Sequence, residues 1–506
     1  MSESRFGWLD LAVLLAYLAG STAIGLWVGR TQRNATSYFV ADRDIPWWVV
    51  MFSVVATETS ALTFISIPGL SYLGNLGFLQ VCAGYILGRI VVAAVLLPRY
   101  LAGNLVTAYA LLSTRFGETT RRFTAITFLA TRALADSVRI FATAIPVALI
   151  IGPLMPRDQL MPFSVIVLGA VTIVYTYFGG MKAVIWTELI QAAIYLLGGA
   201  AAIALLGRST LGGWGSILAA AGDAGKLQLL DFSFTLNNPH TVWAGLIGGA
   251  FLAMASHGAD QLIVQRLLSA RSLRDAQKAV IGSGIAVFFQ FALFLTVGLG
   301  LWSAFGPRVF ATPDEVFPTF IVEQMPHGLL GLVVAAVLAA AMSTQSGSIN
   351  SLAATTTHDI YLPLTGRDPD DPQTLKMGRR FALGWGVALT LGALLYPEGR
   401  TPVVVIALSI ASFTYGALLG GFFLGIFVPR ARQRDAIIGM SVGLVAMAFV
   451  VFARLVGGVI PVLAPALKPF ESIAWPWYVL IGTSVTVLTG TVTSMMMQHT
   501  STRSQA

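Results

Sequence analysis

The sequence predicts an all-α membrane protein of about thirteen spanning helices, and three observations lead there. Of 506 residues, 56% are hydrophobic and 11% are charged, and the mean hydropathy is +0.78. A soluble domain carries about one quarter charged residues, so this chain has too few to clothe a series of water-soluble cores. Apolar windows of about 20 residues, the length that crosses a bilayer, recur from end to end. Finally, the Lys and Arg residues sit mostly in short connectors between those windows. The net charge of +8 therefore reads as the positive-inside pattern and not as a nucleic-acid surface.

In chain order the windows place helices at 8–29, 46–73, 77–98, 123–152, 161–178, 182–207, 241–265, 276–303, 328–354, 378–396, 401–428, 436–453 and 475–497. The first is read as a span rather than a signal peptide. Only Arg5 precedes it, and it runs into Arg30 and Arg33 rather than a small-residue cleavage site. An odd helix count puts the termini on opposite sides. With the N-terminus outside, cytoplasmic connectors hold 20 of the 31 basic residues and external ones hold 8. That ratio orients the chain N-out and C-in, in an inner (plasma) membrane. The connector 208–240 is then external, and Gly366–Pro372 is a solvated internal turn. The single cysteine, Cys82, allows no internal disulfide.

Two helices carry small and polar residues where lipid-facing helices carry Leu or Val. One contains Ala56-Thr-Glu-Thr-Ser-Ala61 ahead of Pro68-Gly69; the other contains Ala253-Met-Ala-Ser-His-Gly-Ala-Asp-Gln261. Five helices counted from each give 46–207 and 241–428, two sets of opposite topology. The expected organisation is an extra helix with its linker (1–45), a first repeat (46–207), an external loop (208–240), a second repeat (241–428) and two further helices (429–506). A polar interruption at the head of both halves points to an inverted-repeat transporter, whose broken helices free carbonyls at mid-membrane. Helices packing through small residues would carry the same composition.

A third helix contains Ala340-Ala-Met-Ser-Thr-Gln-Ser-Gly-Ser-Ile-Asn350-Ser351. Ser343, Gly347 and Asn350 share one face, and Thr344 and Ser346 flank it. Hydroxyls and carbonyls suit a hard monovalent cation, although membrane Ser and Thr also bond their own preceding carbonyls. Charges within spans are costly and face a cavity or a partner. Arg132, Asp136 and Arg139 lie on one helical stripe, so Arg132 with Asp136 forms a structural pair and one positive charge is left over. Arg139 is then either an anion receptor, its fork matching a carboxylate, or bonded to a carbonyl or to Glu58 or Glu188. Glu188 either pairs with Lys182 near the cytoplasmic end or serves an ion site. Glu58 and Asp260 sit in the two interrupted helices, and His257 reads as a hydrogen-bonded core residue. No metal-ligand spacing, phosphate loop or nucleophile elbow is present, which leaves no sign of an enzyme.

These residues together resemble the sodium:solute symporter family. The resemblance is carried by Tyr38-Phe-Val-Ala-Asp-Arg43, Pro68-Gly69, Gly179-Gly-Met-Lys-Ala-Val-Ile-Trp-Thr-Glu-Leu-Ile-Gln191, Asp260-Gln-Leu-Ile-Val-Gln-Arg266, Ala340-Ala-Met-Ser-Thr, Asn350-Ser351 and Asp359-Ile-Tyr361. It implies a LeuT-type core of five plus five helices, with Na+ as the coupling ion. The implied sodium ligands are Ala56 and Thr59 with Ala340, Ser343 and Thr344. Some members have a second sodium site, whose matching positions here are Glu188, Ser346 and Gly347; Glu replaces Asp, and Gly lacks a hydroxyl. Arg132 and Asp136 match a structural pair of the sugar-transporting members. Arg139 is similar to a carboxylate-binding arginine of the sialic acid transporters, and Ser60, Thr63 and Gln80 to polar pocket positions. The expectation is a sodium-coupled importer of a small polar, carboxylate-bearing solute working within the lipid bilayer, with no nucleic-acid partner. A carrier of sugars or other neutral solutes, a proton-coupled carrier and a sensor on a transporter scaffold are the alternatives. The sequence does not set an oligomeric state.

Overall fold

The computed structural model describes residues 7–29, 34–59, 61–103, 105–151, 156–310, 315–396 and 403–503. Helix α1 (Trp8–Gly29) turns Trp8, Leu15 and Trp27 outward, and a helix that is apolar on its outer face fits lipid better than water. The next expected helix is broken. α2 (Trp47–Glu58) stops at Thr59, whose φ of −84° and ψ of 93° are extended. α3 (Ala61–Leu73) follows the break, and the two axes differ by 66°. α4 (Leu79–Val91) continues through a wide turn to Ala102. Small residues let it approach the segment Ala244–Gly248: a Cβ on Gly84 would stand 2.0 Å from the Gly245 carbonyl oxygen.

α5 (Glu118–Ile151) is followed by α6 (Arg157–Ser209), whose 53 residues are more than twice what a bilayer takes. The excess is explained at Gly180, where φ is 54° and ψ is −157°. That backbone region is essentially reserved for glycine. The chain bends there, so the two expected helices 161–178 and 182–207 adjoin across a kink. A Cβ at Gly180 would also stand 2.6 Å from the Tyr38 carbonyl oxygen. Gly180→Ala is expected to cost about 1–3 kcal/mol from backbone strain alone, read as a lower thermal midpoint of the purified protein.

The second interrupted helix divides into α7 (Gly249–Gly258) and α8 (Gln261–Leu268). Asp260 caps α8 by accepting the Leu262 N–H at 2.8 Å. Then come α9 (Leu273–Phe305), α10 (Leu329–Thr355), α11 (Pro372–Leu394), α12 (Val403–Phe427), α13 (Gln433–Val451) and α14 (Trp477–Arg503). All thirteen expected segments coincide with helix to within a few residues, in an all-helical membrane fold. Short helices at Gly213–Asp223 and Val316–Gln324 are additions to the expectation. The long 208–240 connector is strapped to the end of α3, where Lys226 donates to the carbonyls of Tyr72 (2.6 Å) and Gly74 (3.0 Å).

α10 is the axis of the molecule. It packs on α1, α2, α5, α6 and α11, and its residues from Val333 to Thr355 are all buried. Its hydroxyls therefore face protein and not lipid. Its start is fixed from outside the helix by Asp10 of α1, which accepts the N–H groups of Gly328 and Gly331, each at 2.7 Å. A carboxylate at a helix N-terminus satisfies donors that lack intrahelical partners. Arg266, expected in a cytoplasmic connector, is instead fully buried within α8.

Candidate ion and solute site

The first of the expected ion donors lie at the end of α2. Thr59 N–H donates to Val55 O at 3.0 Å, and extended backbone at Thr59 ends the ladder there. The carbonyls of a last helical turn lack intrahelical partners, and Ala56 lies in that turn. Thr59 Oγ1 donates to Val55 O (2.9 Å) and accepts from Gln290 Nε2 (2.7 Å). Ala56 and Ala340 belong to one buried apolar cluster, which brings α2 against α10. Thr344 Oγ1 donates to Ala340 O at 3.2 Å and Ser346 Oγ to Ser343 O at 3.0 Å, the back-bonding expected of membrane hydroxyls. Hydroxyl oxygens in that arrangement keep lone pairs free for a cation, and a hard monovalent ion takes oxygen donors. Ala56, Thr59, Ala340, Ser343 and Thr344 thus fit sodium in donor type.

Glu188 of α6 lies beside this group, fully buried. Its carboxylate accepts from Ser53 Oγ and from Thr57 Oγ1 (3.1 Å) of α2, and from Ser343 Oγ (3.4 Å) of α10. Arg266 of α8 donates to both of its oxygens, through Nε at 3.0 Å and through Nη2. Four helices meet on one carboxylate. The partner expected for Glu188 near the cytoplasmic end was Lys182; the structure supplies Arg266. Gly347 makes room for it, since a Cβ there would stand 2.4 Å from Arg266 Nη2. Among the described residues Ser346 makes no hydrogen bond to Glu188, so the residues matched to a second sodium site come together around a guanidinium.

The charged stripe on α5 is also balanced differently from the expectation. Arg132 Nε lies 2.7 Å from Asp136 Oδ2, and Arg132 Nη1 lies 3.1 Å from Asp260 Oδ2 at the second helix break. Tyr415 of α12 donates to the same Asp260 oxygen at 2.6 Å, and Ser348 of α10 to Asp136. Asp260 supplies the negative charge that the stripe by itself lacks, so the leftover positive charge is corrected to a neutral set of two arginines and two aspartates. Within it Arg139 is held least: its Nη1 is 3.7 Å from Asp136, and its side chain is 18% exposed whereas that of Arg132 is 5% exposed. Neither Glu58 nor Glu188 reaches it in an ion pair among the described residues.

Gln80 stands at the start of α4, in a cavity of about 270 Å³ lined also by Asn75, Asp231, Asn238 and His240. Its amide donates to His240 O (2.8 Å) and accepts from Asp231 N–H (3.1 Å), so it clasps the 208–240 connector. Burial pushes the His240 imidazole below its ordinary range. Thr63 lies on α3 after the break, and Ser60 lies outside the described residues. Sequence reasoning missed Arg89, Arg266 and Asp10 as partners. For Asp10 and Arg89 the signal was a charge inside an apolar window, and for Arg266 a charge just past the end of one, with nothing to say which residue would meet it.

The geometry is that of a membrane-spanning helical bundle with two helix breaks and buried oxygen donors beside the first of them. Comparison with known proteins says which kind. A sodium:solute symporter family model matches residues 38–443, and the chain belongs to that family. It is 28% identical to a sodium/sialic acid symporter of Aliivibrio fischeri, over 99% of this chain and 95% of that one. It is 30% identical to a sodium-dependent multivitamin transporter of Oryctolagus cuniculus, over 96% of this chain and 77% of that one. A solved sodium-coupled sialic acid symporter, substrate-bound and outward-open, superposes with a TM-score of 0.83 at 26% identity, covering 97% of this chain and 98% of the other. The protein is a sodium-coupled solute symporter with a LeuT-type helical fold, an integral membrane transporter and not an enzyme.

Proposed function

We propose that this symporter imports a small polar solute bearing a carboxylate, driven by one sodium ion per cycle through alternating access. The observation that carries the solute class is Arg139, a loosely held guanidinium beside a doubly paired Arg132. Its planar fork suits a carboxylate bidentately. The set of two arginines and two aspartates is neutral with Arg139 counted in it, so the charge of a solute carboxylate would be offset by the sodium ion carried with it. Ser343 and Thr344, with the Ala56, Thr59 and Ala340 group, would hold the ion, which supplies positive charge between α2 and α10. One ion is favoured because Arg266 already neutralises Glu188, the acid of the second candidate site.

Residues do the coupling in this reading. Ser343 bonds Glu188, and Glu188 bonds α2 and α8, so whatever orders the Ser343 hydroxyl also favours the closed arrangement of both broken helices. Coupling of that kind is reciprocal between ion and solute. The N-out, C-in orientation rests on the distribution of basic residues. The test is uptake into proteoliposomes under an imposed sodium gradient, with sialic acid, small monocarboxylates and neutral sugars as solutes. Arg139→Gln is expected to raise the half-saturation constant for the transported acid at least tenfold, about 1.4 kcal/mol. Equal transport of a neutral sugar by both forms, with no acid transported, overturns the carboxylate reading.

A further inference from the structure

α9 runs unbroken beside the helix that breaks. It packs on α2 ahead of the break and on α3 after it. Ser71 of α3 donates to Leu295 O of α9 at 2.7 Å, and the Phe64 and Phe294 rings meet edge to face at 5.0 Å. On the α2 side Glu58 pairs with Arg89 of α4, which in turn donates to Ser283 of α9 at 2.8 Å. Between Ser283 and Phe294 stands Gln290, a buried amide flanked by Phe289 and Phe291. An amide left unpaired in such surroundings is costly, and Gln290 uses both of its ends. Nε2 meets Thr59 Oγ1 at 2.7 Å, and Oε1 meets the hydroxyl of Tyr195 on α6 at 3.3 Å. That hydroxyl also reaches Thr59, so α2, α9 and α6 close a triangle of hydrogen bonds. Hydroxyls both donate and accept, so the triangle holds whichever way round the amide lies. Thr59 and Tyr195 are fully buried.

The triangle lands on the residue where α2 stops. The other bonds of Thr59 are local, since its N–H and its hydroxyl both go to Val55 O. A threonine inside a continuous helix makes the same two bonds. They do not by themselves take Thr59 out of the helix to a φ of −84° and a ψ of 93°. A bond from another helix does what the local ones cannot. Were the helix to re-form through Thr59, the carbonyls of the last turn would regain intrahelical partners and be withdrawn from an ion. An ion that binds only the broken form has its apparent affinity lowered by the fraction of molecules in which the break is formed. Holding the break open before the ion arrives therefore raises sodium affinity.

We propose that Gln290, with Tyr195 behind it, is a positioning residue for the coupling ion: it fixes the break in α2 and touches neither ion nor solute. This rests on the reading of Ala56, Thr59, Ala340, Ser343 and Thr344 as the sodium ligands, and the test separates the two. Gln290→Met with Tyr195→Phe removes the triangle at nearly constant volume, and Thr59 Oγ1 keeps Val55 O. In proteoliposomes the double variant is expected to need at least about tenfold more sodium for half activation of uptake. Gln290→Met alone should need about threefold more, because Tyr195 still reaches Thr59. The rise in thermal midpoint that sodium alone brings to the purified protein should shrink in the double variant. At saturating sodium the half-saturation constant of the acid or sugar taken up best should stay within about twofold of wild type, because excess ion restores the break. Sodium activation that is unchanged here but lost in Ser343→Ala, Thr344→Ala overturns the positioning role and leaves the sodium site standing. Activation unchanged in both variants ends the sodium reading and this inference with it. A thermal midpoint lowered equally with and without sodium, at unchanged activation, makes the triangle structural only and overturns the proposal. A solute constant raised at saturating sodium, with activation unchanged, places Gln290 in the solute pocket and overturns it as well.

Discussion

Replacing Ser343 and Thr344 together with alanine abolishes the sodium dependence of uptake in proteoliposomes while leaving the fold intact. Both side chains are buried on α10, and both hydroxyls bond groups that stay satisfied without them. Glu188 keeps Ser53, Thr57 and Arg266, and Ala340 O keeps its place in the helical ladder. The loss therefore falls on the ion and not on packing. A hydrogen-bonding or ion-ligating group removed from a buried site is worth about 1–3 kcal/mol, so two together predict a rise of at least about thirtyfold in the sodium concentration for half activation. Sodium activation that is unchanged in the double variant shows that these hydroxyls do not ligate the ion. A lower thermal midpoint with unchanged activation would place them in the structure alone.

Much of this was legible in one dimension because membrane helices are long and apolar. The periodic windows located each span, and the clustering of Thr57, Glu58 and Thr59 marked a break that proved to turn the helix by 66°. Gly180 shows why a motif glycine sits where it does: its backbone angles exclude a side chain. Pairings were the illegible part. Arg266 follows a short apolar run and reads as a connector residue, yet its carboxylate partner lies 78 positions earlier. Arg132 finds Asp260 across 128 positions, and Asp10 caps a helix that starts more than 300 residues away. Local spacing identified the intrahelical pair Arg132–Asp136 and could say nothing of the third member. Charge neutrality offers the missing rule: an odd charge on a membrane stripe implies a distant counter-ion at another polar interruption.

Breaking the Glu188–Arg266 pair has the second large effect, and the two single substitutions differ in kind. Glu188→Gln strands a fully buried guanidinium, whose remaining bond in the structure is to the Leu262 carbonyl of its own helix. An uncompensated buried charge costs about 3–5 kcal/mol, so this variant should lose most folded protein. Arg266→Gln strands the carboxylate instead, but Ser53, Thr57 and Ser343 continue to donate to it. That carboxylate, ringed by hydroxyls and relieved of its guanidinium, is a cation site. Wild-type activation by sodium should be hyperbolic, with one ion per cycle, and Arg266→Gln should become steeper in sodium and be stabilised by it. The Glu188→Gln, Arg266→Gln double variant should recover most of the stability lost by Glu188→Gln, because neither charge is left alone. Wild-type activation that is already sigmoidal, with a Hill coefficient near two, would mean that a second ion binds with the Glu188–Arg266 pair in place, and the guanidinium does not substitute for it.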